Sequence, residues 1–187
     1  KRKSESSKNG KLRGRGIATY IEMTAPGGFA PYDQAHITWE EDGGVTLRTA
    51  SHNHGQSHET TFAQIVSGVL GVPMEKIRLR TAEAEFDLTA NPTGGSRTLH
   101  GLGSAMFSAS QEIVKNGMQL AAEAMESAEM DLEFSSGIYK IKGTDRNISI
   151  SALAKKYPGK LDLDFKDRPK VPGTFPNGCH IAEVEID

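Results

Sequence analysis

The sequence contains a single cysteine, Cys179, and a single tryptophan, Trp39, in 187 residues. One thiol excludes an internal disulfide and any thiolate metal cluster made by this chain alone. That accords with a reducing compartment and points to a cytoplasmic protein. No apolar run approaches the ~20 residues that cross a bilayer, and no signal-peptide pattern opens the chain. Charge of either sign is nearly balanced: a net of −2 gives no general reason to expect nucleic acid or an acidic membrane as partner. Motifs for common chemistries are missing too. No Gly-x-Ser-x-Gly elbow presents a nucleophilic serine, no Gly-Lys-Ser/Thr completes a P-loop, and the Rossmann glycine pattern does not occur. Cys179 has no activating neighbour and reads as a packed thiol. With 36% hydrophobic residues the chain fits a soluble globular protein, long enough for one substantial core or two small lobes.

What is present centres on residues 45–71. Val45, Leu47 and Thr49 alternate with Thr46, Arg48 and Ala50, the period of a half-buried strand. From Phe62, the residues Ile65, Val66, Val69 and Leu70 fall on one helical face, and Gly71 with Pro73 ends that helix. Between strand and helix lies a polar turn, Gly55-Gln56-Ser57-His58-Glu59-Thr60. A helix start leaves N–H groups unpaired and carries partial positive charge, so it can receive a phosphate. Ser57 as an ordinary N-cap is the simpler account of the same residues. Capping alone, however, leaves Gln56, His58, Glu59 and Thr60 unexplained.

A second turn of this kind, Thr93-Gly94-Gly95-Ser96-Arg97-Thr98, closes a long connection from Ala82 and opens a helix reaching about Met125. That helix carries Leu102, Met106, Ile113, Val114 and Ala121 on one face, with Gly101 and Gly103 allowing close backbone approach. Arg97 brings a guanidinium fork suited to phosphate oxygens. The pair of turns points to a phosphate-bearing ligand; two ordinary caps remain the alternative. His52, His54 and His58 form another cluster, which zinc or iron would suit if the three converged.

Elsewhere, 1–15 is a basic run read as a solvated tail or linker, with the rest of the domain over 16–187. Gly16–Glu22 is a strand candidate, and Met23–Pro31 a loop. Ala35–Glu40 and Val45–Thr49 form a hairpin across Glu41-Asp42-Gly43-Gly44. Met74–Thr81, Leu132–Phe134, Ile138–Ile141 and His180–Asp187 are further strands, Ser151–Tyr157 a short helix, and Arg168–Asn177 a loop. The fold class is α+β (mixed α/β). The missing initiator Met and the abrupt end at Asp187 suggest an excised fragment.

Gly55 to Ile65 resembles the Gly-Gln-Gly-His-Glu-Thr segment of the molybdopterin-binding large subunits of the xanthine dehydrogenase, aldehyde oxidase and carbon monoxide dehydrogenase group. Gly94 to Thr98 resembles that family's second cofactor loop, and Lys11–Ala18 and Phe175–Asp187 its flanking stretches, so the likeness runs in order over nearly the whole chain. The resemblance implies a molybdopterin cofactor, in bacterial members often the cytosine dinucleotide. Gln56, Ser57, His58, Glu59 and Thr60, with Gly55, would lie on one side of the pyrophosphate, and Gly95, Ser96, Arg97 and Thr98 on the other. Ser57 departs from the family's usual glycine. The resemblance also implies oxidation of a small molecule such as a heterocycle or aldehyde, with water as oxygen source. Electrons would pass to iron–sulfur and FAD partners, and the glutamate base would lie beyond this chain, leaving no catalytic residue within it. A non-catalytic domain and a histidine-based zinc hydrolase are the alternatives.

Overall fold

The computed structural model describes residues 1–24, 30–81, 83–167 and 173–187. They fall into two compact units, Lys1–Thr24 with Gly173–Asp187, and Ala25–Pro172.

In the first unit, helix α1 (Arg2–Lys8) precedes strand β1 (Leu12–Ile21), which pairs antiparallel with β9 (Asn177–Ile186) in unbroken register from Leu12↔Ile186 to Ile21↔Asn177. The basic run expected to be a solvated tail is therefore ordered as α1 and the start of β1. Part of its charge is matched by acids on β9. Arg13 ion-pairs with Glu183 at 2.5 Å and also with Glu185, and Arg2 reaches Glu183 at 3.0 Å. Ser6 of α1, buried, donates to Glu185 at 2.6 Å and accepts from Arg13 Nε at 2.7 Å. Those acids lie 170 and more residues downstream, so the run looked unpartnered when read locally. Cys179, on β9, is exposed, which corrects the packed-thiol expectation.

The second unit holds the main core. Strands β2 (Asp33–Trp39), β3 (Val45–Thr49), β4 (Ile77–Thr81) and β8 (Leu163–Asp167) form one sheet in the order β4-β3-β2-β8. β2 pairs antiparallel with β3 and β8, while β3 and β4 run parallel. The alternation read in the sequence settles the faces. Ala35, Ile37, Val45, Leu47 and Ile77 are buried, and Arg78 and Arg80 point outward to solvent. Helices α2 (His58–Leu70) and α3 (Thr98–Met125) pack on each other and cover the buried face, burying Phe62, Val66, Leu70, Leu102, Met106 and Ile113. Each such side chain contributes about 1.5–3 kcal/mol. Val114 is only partly buried. Gly71 ends α2 in the left-handed region at φ 68°.

A three-stranded meander, β5 (Leu132–Ser135), β6 (Ile138–Ile141) and β7 (Asn147–Ser149), is followed by α4 (Ile150–Lys156), capped by Ser149 Oγ. Tyr139 is buried and donates to the Val114 carbonyl at 2.9 Å, its ring lying where a side chain at Gly117 would stand. β7 and β8 lie outside the sequence reading, β7 being short and β8 largely charged on its outer side. Met74–Lys76, expected as strand, is a 3-10 turn entered from Pro73. Most of the expected loop over Met23–Pro31 and half of that over Arg168–Asn177 lie outside the described residues.

Candidate functional site: two helix N-termini at one end of the sheet

Because β3 and β4 are parallel, the segments leaving their carboxyl ends, 50–57 and 83–97, emerge at the same end of the sheet. One leads into α2 and the other into α3, so topology alone brings two helix N-termini together. Open sheets of this kind bind ligands at that end. The second segment is pinned to β2. The buried Asp33 carboxylate accepts from the Asn91 N–H at 2.8 Å and from its side-chain amide at 3.3 Å. Gln34 exchanges backbone and side-chain hydrogen bonds with Thr89. Gly101 makes room for that carboxylate, since a Cβ there would collide with it.

The two turns share an unusual backbone. Gly55 has φ +115°, Ser57 +62°, Gly95 +56° and Ser96 +53°. At Gly95 and Ser96 two such residues follow one another, and at Gly55 and Ser57 they flank Gln56. Ser57 occupies the N-cap position, but its side chain makes no capping bond. Its carbonyl instead accepts from the N–H of Thr60 (3.1 Å) and Thr61 (2.9 Å) and from Thr61 Oγ1 (3.1 Å). The α3 start at Arg97 is likewise without a side-chain cap. The expected capping by Ser57 is thereby corrected: αL geometry carries its hydroxyl away from the helix end.

Side chains join the turns. Gln56 Oε1 accepts from the His54 N–H at 2.6 Å, and its Nε2 donates to Thr93 Oγ1 at 3.1 Å. Thr93 Oγ1 in turn lies 2.9 Å from Thr98 Oγ1 at the start of α3. Arg97 Nε donates to the Pro92 carbonyl at 2.8 Å, folding the second turn back on itself. Glu59 accepts from the Asn53 amide, which holds its carboxyl below the usual range, helped by its own N–H. Thr60, Gly95 and Ser96 are exposed, and Thr98 is buried.

His58 is 2% exposed and stacks on Phe62 at 4.9 Å. Burial lowers its pKa, with Glu59 opposing and His54 adding to the shift, so the ring is neutral at neutral pH. Its Nδ1 has no partner among the described residues, and neither does the buried hydroxyl of Ser51. His52 and His54 stack with ring centroids 6.0 Å apart. Among the described residues, no group of three His, Cys, Asp or Glu stands where it would hold a metal.

The two turns thus present backbone, amide and hydroxyl groups together with the Arg97 side chain, and the Glu59 carboxylate is engaged by Asn53. This arrangement suits binding of an anion. Sequence reasoning left out Asn53 as the partner of Glu59, and Thr93 as the link between the turns. Thr93 lies 37 residues from Gln56, and no local pattern announces such a contact.

Three comparisons bear on this geometry. Along residues 1–187 the chain matches the model of the family described as molybdopterin cofactor-binding domain. It is 28% identical to the carbon monoxide dehydrogenase large chain of Afipia carboxidovorans over 208 residues, covering 100% of this chain and 26% of that one. It is 29% identical to the nicotine 6-hydroxylase large subunit of Paenarthrobacter nicotinovorans over 211 residues, covering 100% and 25%. Among solved structures it superposes on Cu,Mo-CO dehydrogenase with a TM-score of 0.79 at 27% identity, covering 100% of this chain and 26% of that one. Quinoline 2-oxidoreductase from Pseudomonas putida 86 gives a TM-score of 0.78 at 25% identity, with the same coverage. The chain spans about a quarter of the length of these relatives. By its sequence over its full length, it belongs to the molybdopterin cofactor-binding domain family.

Proposed function

We propose that the two turns hold the pyrophosphate of a molybdopterin dinucleotide, the cytosine form, for a molybdenum hydroxylase large subunit. Gly55, Gln56, Ser57, His58 and Thr60 stand on one side, and Gly95, Ser96, Arg97 and Thr98 on the other. The observation that carries this reading is the Gln56–Thr93–Thr98 relay, which ties the turn before α2 to the turn before α3. The unpartnered His58 Nδ1 and Ser51 hydroxyl fit a polar ligand, and the uncapped helix starts argue against two ordinary caps. Glu59, held by Asn53, braces the turn instead of facing phosphate.

Molybdenum on the bound pterin would supply the oxidation of a small molecule with water as oxygen source. This chain's own part is to bind and orient the cofactor. The remainder of the large subunit and iron–sulfur and FAD partners complete the proposal, supported by relatives named as large subunits of dehydrogenase and hydroxylase enzymes. A cytoplasmic location rests on the low cysteine content.

The test is made on the complete parent with its partners. Molybdenum is measured by elemental analysis, and nucleotide is identified after acid release. Gln56→Ala removes one donor worth about 1 kcal/mol, hence about a fivefold loss of affinity for the dinucleotide. Reduced cytidine nucleotide and molybdenum with an unchanged circular dichroism spectrum is the expected result. Full occupancy overturns the assignment. Molybdenum without nucleotide in the wild type replaces the dinucleotide with plain pterin.

A further inference from the structure

Gln56 ties the two turns together, and what that tie offers an anion depends on which way its side-chain amide faces. The His54 backbone N–H lies 2.6 Å from one end of the amide. A backbone N–H can only donate, so that end is the carbonyl oxygen and the opposite end is the NH2 group. The NH2 group then meets Thr93 Oγ1 at 3.1 Å and Nδ1 of the His54 ring at 3.4 Å. Facing an N–H, Nδ1 serves as acceptor, and the ring keeps its proton on Nε2. Stacking on His52, with centroids 6.0 Å apart, holds the ring in place. His54 thus grips both ends of the Gln56 amide.

The direction of the amide sets how many hydrogens the relay has to spare. Gln56 meets Thr93, and Thr93 meets Thr98 at 2.9 Å, so two contacts need two hydrogens. With its NH2 toward Thr93, Gln56 supplies one and a hydroxyl supplies the other. Each threonine hydroxyl has one hydrogen, so one of the two is left over. Among the described residues no other group accepts from either hydroxyl. With the amide reversed, Thr93 would donate to Gln56 and Thr98 to Thr93. Neither hydroxyl would then have a hydrogen left, and both would turn only lone pairs outward.

We propose that His54 is a positioning residue for the site. By holding the Gln56 amide at both ends, it makes the relay finish in a hydroxyl donor, matched to a ligand that only accepts, such as the oxygens of a pyrophosphate. The inference rests on the reading of the two turns as a pyrophosphate site. His54 itself needs no contact with the ligand, since its effect passes through Gln56.

The test follows release of cytidine nucleotide from the complete parent with its partners, at a fixed temperature below its melting point. Replacing the ring leaves the backbone grip and removes the second one. His54→Leu is expected to speed release about three- to fivefold, the strength of one modest hydrogen bond. His54→Asn, which offers a carbonyl oxygen in place of Nδ1, is expected to stay close to the wild-type rate. His54→Lys, which can only donate, should release at least as fast as His54→Leu despite its charge. In a Gln56→Ala background, His54→Leu should add nothing further, because the partner it acts through is gone. Unchanged release in His54→Leu, with nucleotide bound in the wild type, overturns the positioning role and leaves the pyrophosphate reading standing. So does an undiminished effect in the Gln56→Ala background. Slow release from His54→Lys with fast release from His54→Asn overturns it too, by making residue 54 a cation that meets phosphate directly. A wild type without nucleotide overturns both readings together.

Discussion

Ser57 holds φ +62° and ψ +34° at the entrance to α2, with no capping bond from its side chain. For an L-residue other than Asn or Asp, the left-handed region costs about 1–2 kcal/mol, from Cβ crowding against the following carbonyl. Glycine removes that cost but loses about 0.5–1 kcal/mol in backbone entropy on folding. Ser57→Gly should therefore stabilise the fold by about 0.5–1 kcal/mol, a rise of roughly 2–3 °C in melting temperature for a domain of this size. Urea unfolding followed by the fluorescence of Trp39, a partly buried residue on β2, reads the change directly. Two companions isolate the cause. Ser57→Ala keeps the strain and should stay within about 0.5 kcal/mol of wild type, because the hydroxyl does not cap the helix. Ser57→Val should be worse than either, since a β-branched residue is poorly tolerated there. A lowered midpoint for Ser57→Gly, or a loss of 1 kcal/mol or more for Ser57→Ala, would refute the reasoning by giving the hydroxyl a stabilising role.

The depressed pKa of His58 fixes the sign of a pH effect. Below its ordinary value of about 6.5 the unfolded chain takes up a proton that the buried ring refuses, so stability falls as pH drops through that region. Urea midpoints between pH 5 and 7.5 should show the slope, and His58→Leu should flatten it. Gly117→Ala should destabilise by about 1–3 kcal/mol, because the new methyl meets the Tyr139 phenol. Tyr139→Phe should recover part of that loss in the double variant, despite giving up the bond to Val114; strict additivity in denaturant melts would show that the two do not touch.

Much of the second unit was legible because its signals are local. The strand at Val45–Thr49, the helical spacing from Phe62 to Leu70 and the stop at Gly71 each speak for a few neighbouring residues, and the structure agrees with all three elements, except that β3, an interior strand, buries Thr46 as well and so is more than half-buried. So do the hairpin from Ala35 and the long helix from Thr98. What stayed hidden depends on distant partners. The basic run at the start finds its acids on β9, and Thr93 meets Gln56 only because β3 and β4 are parallel. Ser57 illustrates a third kind of gap. A serine before a helix is usually its cap, and only the dihedral angle shows that here it is not. Cys179 belongs with these: its strand was readable, but the exposure of that strand was not.

The relay from Gln56 through Thr93 to Thr98 also bears on the order of events during folding. Its donors and acceptors come from separate connections, one preceding α2 and the other following β4. The entropy of closing that stretch must be met before the contact returns anything. The contact is therefore expected to persist only once β4 has joined β3, so that the two turns order after the sheet that carries them.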